Sequence, residues 1–309
     1  MIYPSMLELV GNTPVIEISK FFGFPGVHVY MKMETFNPGG SHKIRAAMNM
    51  ILDAEKQGIL SPNEWQTILE PTGGNTGLGI AIVAACRGYK VKLVIPDNYS
   101  PDKQKKLKLF GVEIVLSDSN RGGNSHGELA MEIQLENYDY VMLNQGQNPA
   151  NPDIHRQTTA QEILRDFRDV SIDYFVGGIG TGGHITGIGE VLKQEYPKAQ
   201  IVGVQPRGCD LLANKFVLHQ IQGLAVGIIP KVLNLEIIDR MIDVTYEESL
   251  AMMLAATRQE ALLVGLSSGA NLAAVSKIVE ELRGKQLDRP IHILTMAYDS
   301  VFDYLNLLE

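Results

Sequence analysis

SIDYFVGGIGTGGHITG, residues 171–187, decides how the rest of the chain is read. Ile172 to Val176 is a short apolar run with strand character, and it enters a glycine turn that opens into a helical pattern. The same alternation continues in both directions. Strand candidates are Val27 to Met33, Lys90 to Ile95, Glu113 to Leu116, Tyr138 to Leu143, Gln200 to Val204 and Ile291 to Met296, each separated from the next by enough chain for a helix or two. Between Lys43 and Gly58 the apolar residues Ile44, Ala47, Met48 and Ile51 fall on one helical face, which puts Lys43 in a first turn. This pattern predicts an α/β protein built on mostly parallel sheets flanked by helices.

A chain of 309 residues with 45% hydrophobic residues can bury a large core, and its length favours two domains. The Asn, Gly and Pro run NQGQNPANP at 144–152 marks the expected boundary. The domains are therefore expected at 1–145 and 146–309. No period of 20 to 50 residues points to a solenoid or propeller.

The formal charge is -8, from 27 basic and 35 acidic residues, and no stripe of Lys and Arg suggests nucleic acid. The densest basic stretch, Lys103 to Lys108, reads as the solvated face of one helix. Cys86 and Cys209 are too few and too far apart for a disulfide framework or paired-cysteine zinc site. The opening MIYPSMLELVGNTP lacks a basic segment followed by a long apolar one, and no apolar run reaches the ~18 residues of a membrane span. A cytoplasmic protein is expected.

Three glycine-rich segments stand out: NPGGSHK at 37–43, EPTGGNTG at 70–77 and GGIGTGGHITG at 177–187. Each follows an expected strand and opens an expected helix, which aims backbone N–H groups and the positive end of a helix dipole at one spot. Three such anion cradles on an acidic protein imply a ligand set with several anionic groups. The third segment contains a GxGxxG at Gly178, Gly180 and Gly183. The acid that would hold a dinucleotide ribose is missing, because the next strand ends in Gln205 and Pro206. No GxxxxGK[ST] occurs, and the seven histidines show no metal-ligand spacing, so neither a P-loop nor a catalytic metal is expected.

A lysine at the mouth of a glycine turn, a phosphate cradle and a carboxylate cradle together suit pyridoxal 5′-phosphate chemistry on amino acids. The lysine holds the cofactor as a Schiff base, one cradle fixes its phosphate and the other fixes the substrate carboxylate.

The chain resembles the fold-type-II pyridoxal-phosphate enzymes, and within them the cysteine synthase and cystathionine β-synthase family. The likeness runs over nearly the whole length: GNTPV at 11–15, NPGGSHK, PTGGNTG, NQGQNPANPDIHRQTTAQEI from 144, GTGGHITG at 180–187, HQIQGL at 219–224 and GLSSGAN at 265–271. The resemblance implies a tryptophan-synthase-β-like two-domain fold, in which residues 13–34 cross to the other domain, and a homodimer. It implies Lys43 as the cofactor lysine and the base for the α-proton, and Asn75 as partner of the ring oxygen. Thr72, Gly73, Gly74, Thr76, Gln145 and Gly223 would serve the substrate. Gly180, Thr181, Gly182, Gly183 and His184 would hold the phosphate, with Ser267 facing the pyridine nitrogen. A serine there does not stabilise a protonated ring, so the electron sink is weaker and suits loss of a good β-leaving group. The implied reaction is β-replacement on an O-activated serine, O-acetylserine first, through an α-aminoacrylate to cysteine or a related β-substituted alanine.

Several positions depart from the family pattern. Gly73 stands where Ser is usual, Gly146 where Phe is usual, Ile44 where Asp is usual and His184 where Thr is usual, and DSVFDY at 299–304 replaces DSGERY. Gly146 would widen the space beside the incoming nucleophile. Arg207 is a further candidate, for the phosphate of an O-phosphoserine. A specialised synthase taking O-phosphoserine or a bulkier amine or thiol, and a serine or threonine dehydratase-type elimination, are the alternatives.

Overall fold

The computed structural model describes residues 1–72, 74–99, 101–121 and 125–307, so Gly73 lies outside the described residues. Ten strands follow one another among them: β1 (Val15–Glu17), β2 (Val27–Met33), β3 (Thr67–Glu70), β4 (Lys90–Pro96), β5 (Glu113–Ser117), β6 (Tyr140–Met142), β7 (Tyr174–Gly178), β8 (Gln200–Pro206), β9 (Arg240–Val244) and β10 (Ile291–Ala297). The chain divides into two compact units, Met1–Val10 with Asn37–Asn151, and Gly11–Phe36 with Pro152–Glu309.

The first unit holds a four-stranded sheet in the order β5-β4-β3-β6, parallel at every pairing. Alternation along the strands sends side chains to opposite faces. Ile68 and Leu93 join Ile44, Ala47 and Ile51 of helix Lys43–Lys56 in one core cluster, while Leu69 and Val94 pack with Ala130 of helix Ser125–Glu136 in another. The helical face expected from the spacing is therefore the buried one, and Met50 joins it fully buried.

The second unit holds a six-stranded sheet in the order β1-β2-β10-β7-β8-β9, parallel except for the antiparallel β1–β2 pair. Val176 and Val202 face a cluster with helix Leu266–Arg283, whereas Phe175 and Ile201 face one with helix Gly183–Glu195. Both units are thus sheets covered on two sides by helices, the α/β architecture expected.

Two differences from the sequence reading have plain causes. The central strand β3, TILE, is buried at all four positions, so it shows no alternation to detect. The expected strand Tyr138 to Leu143 shrinks to Tyr140–Met142, because Tyr138 lies in the preceding turn and is almost fully exposed. The chain leaves the first unit at Asn151 rather than at residue 145. The intervening run stays tied to that unit: Asn151 Nδ2 donates to the Gln145 carbonyl at 2.8 Å and Asn148 Nδ2 to the Leu143 carbonyl at 2.9 Å. Among the described residues, no helix is long and apolar enough to cross a membrane.

Candidate active site

In a doubly wound sheet, ligands bind beyond the carboxyl ends of strands that neighbour each other but are connected in opposite directions. In the first unit the chain runs from β3 out through β4 and β5 and returns to β6 on the other side of β3, so that point lies between β3 and β6. The sequence candidates of this unit cluster there. Beyond β3, Thr72 and Gly74 lead into helix Asn75–Arg87, whose N-cap residue Gly74 provides no side-chain cap. Its first N–H groups thus lack the capping side chain that ordinarily satisfies them. Beyond β6, Gln145 accepts from Thr76 Oγ1 at 2.7 Å.

Glu70, the last residue of β3, is 1% exposed. Its two carboxylate oxygens accept the N–H of Asn144 at 2.7 Å and that of Gln145 at 3.0 Å. Burial pushes its pKa up to about 7, against the pull of the Gln145, Asn144 and Leu143 N–H groups. Sequence reading passed over Glu70. The signal available was an acid closing a buried strand immediately before the glycine loop.

Lys43 is half-buried and is the first residue of helix Lys43–Lys56; its N–H donates to Ser41 Oγ at 3.1 Å. Ile44, which stands where an Asp is usual, is 1% exposed and belongs to the core.

In the second unit the chain runs from β7 through β8 to β9 and returns to β10 on the other side of β7. The glycine loop leaves β7 at this point and opens helix Gly183–Glu195, whose N-cap Gly182 again supplies no side-chain cap. Glycine is required twice. A Cβ on Gly180 would lie 2.2 Å from the Gly223 carbonyl oxygen, and Gly182 has φ 81° with Leu233 2.6 Å from any added Cβ. The Ala225 N–H donates to the Ile179 carbonyl at 2.8 Å, so the HQIQGL loop, with Gly223, is seated on the phosphate-loop candidate. Thr181 and Gly183 are buried in the same turn.

His184 is 5% exposed, and its Nε2 lies 2.7 Å from the Tyr298 hydroxyl, which also accepts the Gly178 N–H at 2.8 Å. Its contribution to an anion at the loop would therefore come from its backbone N–H in the first helical turn and not from Nε2. Ser267 is the second residue of helix Leu266–Arg283 and is 6% exposed. That helix start is joined to the end of β10, where the Tyr298 N–H donates to Ser268 Oγ at 2.9 Å and the Gly265 N–H to the Asp299 carbonyl at 2.9 Å. Asp299 in turn accepts the Tyr304 hydroxyl at 2.8 Å, so DSVFDY retains a bracing role under the Ser267 turn.

Arg207 directly follows β8. Its side chain is 61% exposed and its Nη2 lies 3.7 Å from Glu248 Oε1. Glu248 belongs to the capping box that closes helix Tyr246–Glu260 through Thr245. GNTPV is also structural in its contacts: Thr13 Oγ1 donates to Glu34 at 2.6 Å, and the Thr13 carbonyl accepts from Lys32 Nζ at 2.6 Å.

The family model for "Pyridoxal-phosphate dependent enzyme" matches residues 6–295. The chain belongs to that family. Among its relatives, a cysteine synthase of Staphylococcus aureus is 39% identical over 283 residues, covering 91% of this chain and 90% of the relative. An O-ureido-L-serine synthase of Streptomyces lavendulae is 38% identical over 283 residues, covering 90% and 85%. The crystal structure of an O-ureido-L-serine synthase superposes with a TM-score of 0.92 at 36% identity, covering 99% of this chain and 94% of that one. The protein is thus a pyridoxal-phosphate enzyme of cysteine synthase type with the two-domain fold of that group. Its own residues fit the cofactor. The glycine loop after β7 is held in its tight course by close packing of Gly180 on the Gly223 carbonyl and of Gly182 on Leu233, and it ends on a helix N-terminus with no side-chain cap, suited to a phosphate.

Proposed function

We propose that the protein replaces the β-substituent of an O-activated L-serine, O-acetyl-L-serine first, with sulfide to give L-cysteine, and that it does so in the cytoplasm as a homodimer. The observation that carries this reading is the 2.7 Å bond between Thr76 and Gln145 beside the uncapped Asn75 helix, a donor-rich turn suited to an amino-acid carboxylate. Bound pyridoxal phosphate supplies the electron sink that acidifies the substrate Cα–H and lets the β-substituent depart.

The protein's residues do the rest. Lys43 Nζ would hold the cofactor covalently and, once released by the incoming amino acid, take the proton from Cα. Thr72, Gly74, Thr76 and Gln145 would hold the carboxylate, with Asn75 on the ring oxygen. Gly180, Thr181, Gly182, Gly183 and the His184 N–H would hold the phosphate, and Ser267 would face the ring nitrogen as a neutral hydroxyl. Such a partner favours expulsion of a good leaving group over prolonged carbanion chemistry.

A second reading is favoured by Gly146, which has no side chain to narrow the space next to Gln145, and by the O-ureido-L-serine synthase likeness. Here a bulkier nucleophile replaces sulfide. Product analysis of the holoenzyme with O-acetyl-L-serine and O-phospho-L-serine, each against sulfide, a thiol amino acid and an amine, tests both. Formation of cysteine from sulfide supports the first reading, and a β-substituted alanine from the amine or thiol alone supports the second. Release of pyruvate and ammonia from every combination would overturn both.

A further inference from the structure

We infer that Glu70 is a positioning residue for the substrate carboxylate, acting through the backbone of Asn144 and Gln145; this rests on the reading that Gln145 binds that carboxylate. A carboxylate at the end of a central strand with 1% exposure carries a large desolvation cost, so its retention calls for a specific partner set. That set includes two successive backbone N–H groups in direct hydrogen-bond contact, those of Asn144 and Gln145. Asn144 adopts the left-handed conformation, φ 55°, which turns its own N–H and that of Gln145 towards the same acceptor. Successive N–H groups arranged in this way form an anion-binding concavity, and Glu70 fills it with one oxygen on each, at 2.7 and 3.0 Å.

The consequence lies one residue further out. With its backbone fixed, Gln145 places Oε1 2.7 Å from Thr76 Oγ1 in the first turn of the Asn75 helix. That bond commits the amide oxygen as an acceptor. The amide nitrogen, a donor, is then the end a substrate carboxylate would meet. Glu70 thus belongs to the substrate site without touching substrate. Gln in its place keeps the shape but sets an NH2 donor against one of the two N–H donors, which should release the turn.

The test is a double-mutant cycle on the holoenzyme with Glu70→Gln, Gln145→Ala and the pair. It is read as kcat and KM for O-acetyl-L-serine with sulfide, and as the L-serine Kd from the shift of the cofactor absorption band. Each single variant should raise KM and Kd on the order of tenfold with kcat changed less than about threefold, and the pair should be no worse than the weaker single variant. Glu70→Asp, whose shorter side chain cannot span both N–H groups, should behave like Glu70→Gln and serves if the amide variant does not fold. Unchanged KM and Kd in the Glu70 variants, or losses that add in the pair, would overturn the assignment. Absent turnover in the wild-type enzyme would instead sink the β-replacement reading, and the L-serine arm would still decide the role of Glu70.

Discussion

The Tyr298 hydroxyl bridges His184 Nε2, at 2.7 Å, and the Gly178 N–H, at 2.8 Å. It joins the residue after β10 to both sides of the glycine loop after β7. Tyr298 is 3% exposed, and burial raises its pKa, so the phenol stays protonated. Tyr298→Phe removes the bridge while keeping the ring. Two buried polar groups then lose this partner, and a stability loss of about 1–3 kcal/mol is expected in urea unfolding. The same variant should release pyridoxal phosphate more readily on dialysis, read from the cofactor absorbance.

Gly180→Ala tests the loop from its front. The added methyl would lie 2.2 Å from the Gly223 carbonyl oxygen, backbone that cannot rotate away as a side chain could. The HQIQGL loop must lift off the cradle or the cradle must open. Cofactor affinity should fall at least about tenfold, with stability lowered by roughly 1–3 kcal/mol. Titration of the apoprotein with pyridoxal phosphate and parallel thermal melts would check both.

Glu70 makes stability depend on pH. Its folded pKa of about 7 lies above the ordinary carboxyl value of 4.5, so the folded state binds the proton more tightly than the unfolded one. The resulting stabilisation is present below about pH 4.5 and is lost as pH rises through about 7. Relative to Glu70→Gln, which cannot titrate, the wild-type protein should lose stability between those limits, by a few kcal/mol at most at ~1.4 kcal/mol per unit. Denaturant unfolding of both proteins at intervals across that range would show the difference. A constant gap between the two curves would contradict it.

Much of this was legible in the sequence, and the parts that were not share a physical cause. Elements that follow from local pattern were readable: the Lys43 helix from its apolar spacing, the strand–turn–helix around 180–183 from its glycines. Glu70, Tyr298 and Lys32 were not. Each acts through a partner distant in sequence: Glu70 through Asn144 and Gln145, Tyr298 through Gly178 and His184, Lys32 through Glu162 at 3.0 Å. Lys32 shows the difficulty best. It lies in an apolar strand and is fully buried, yet nothing near it in the sequence shows that Glu162, from helix Ala160–Asp166, will neutralise it. His184 illustrates the converse, since its place in the loop suggested an anion ligand and tertiary packing turned its Nε2 to Tyr298.

Lys43 remains the residue on which the functional reading turns. It begins its helix, is half-buried and is followed by the core residue Ile44, so the helix is anchored by its neighbours and not by the lysine. Alanine has the highest helix propensity, and Lys43→Ala should therefore fold with a Tm within a few degrees of wild type. Chemistry is another matter. Without an amine at this position there is no covalent attachment point and no base at Cα, and turnover of O-acetyl-L-serine should drop by at least about 10²–10⁴-fold. The visible band of the lysine-bound cofactor should vanish, while pyridoxal phosphate still associates through the loop at 180–183 and is detectable by equilibrium dialysis. Retention of the band in Lys43→Ala would move the attachment to another lysine and remove the basis for the proposed chemistry.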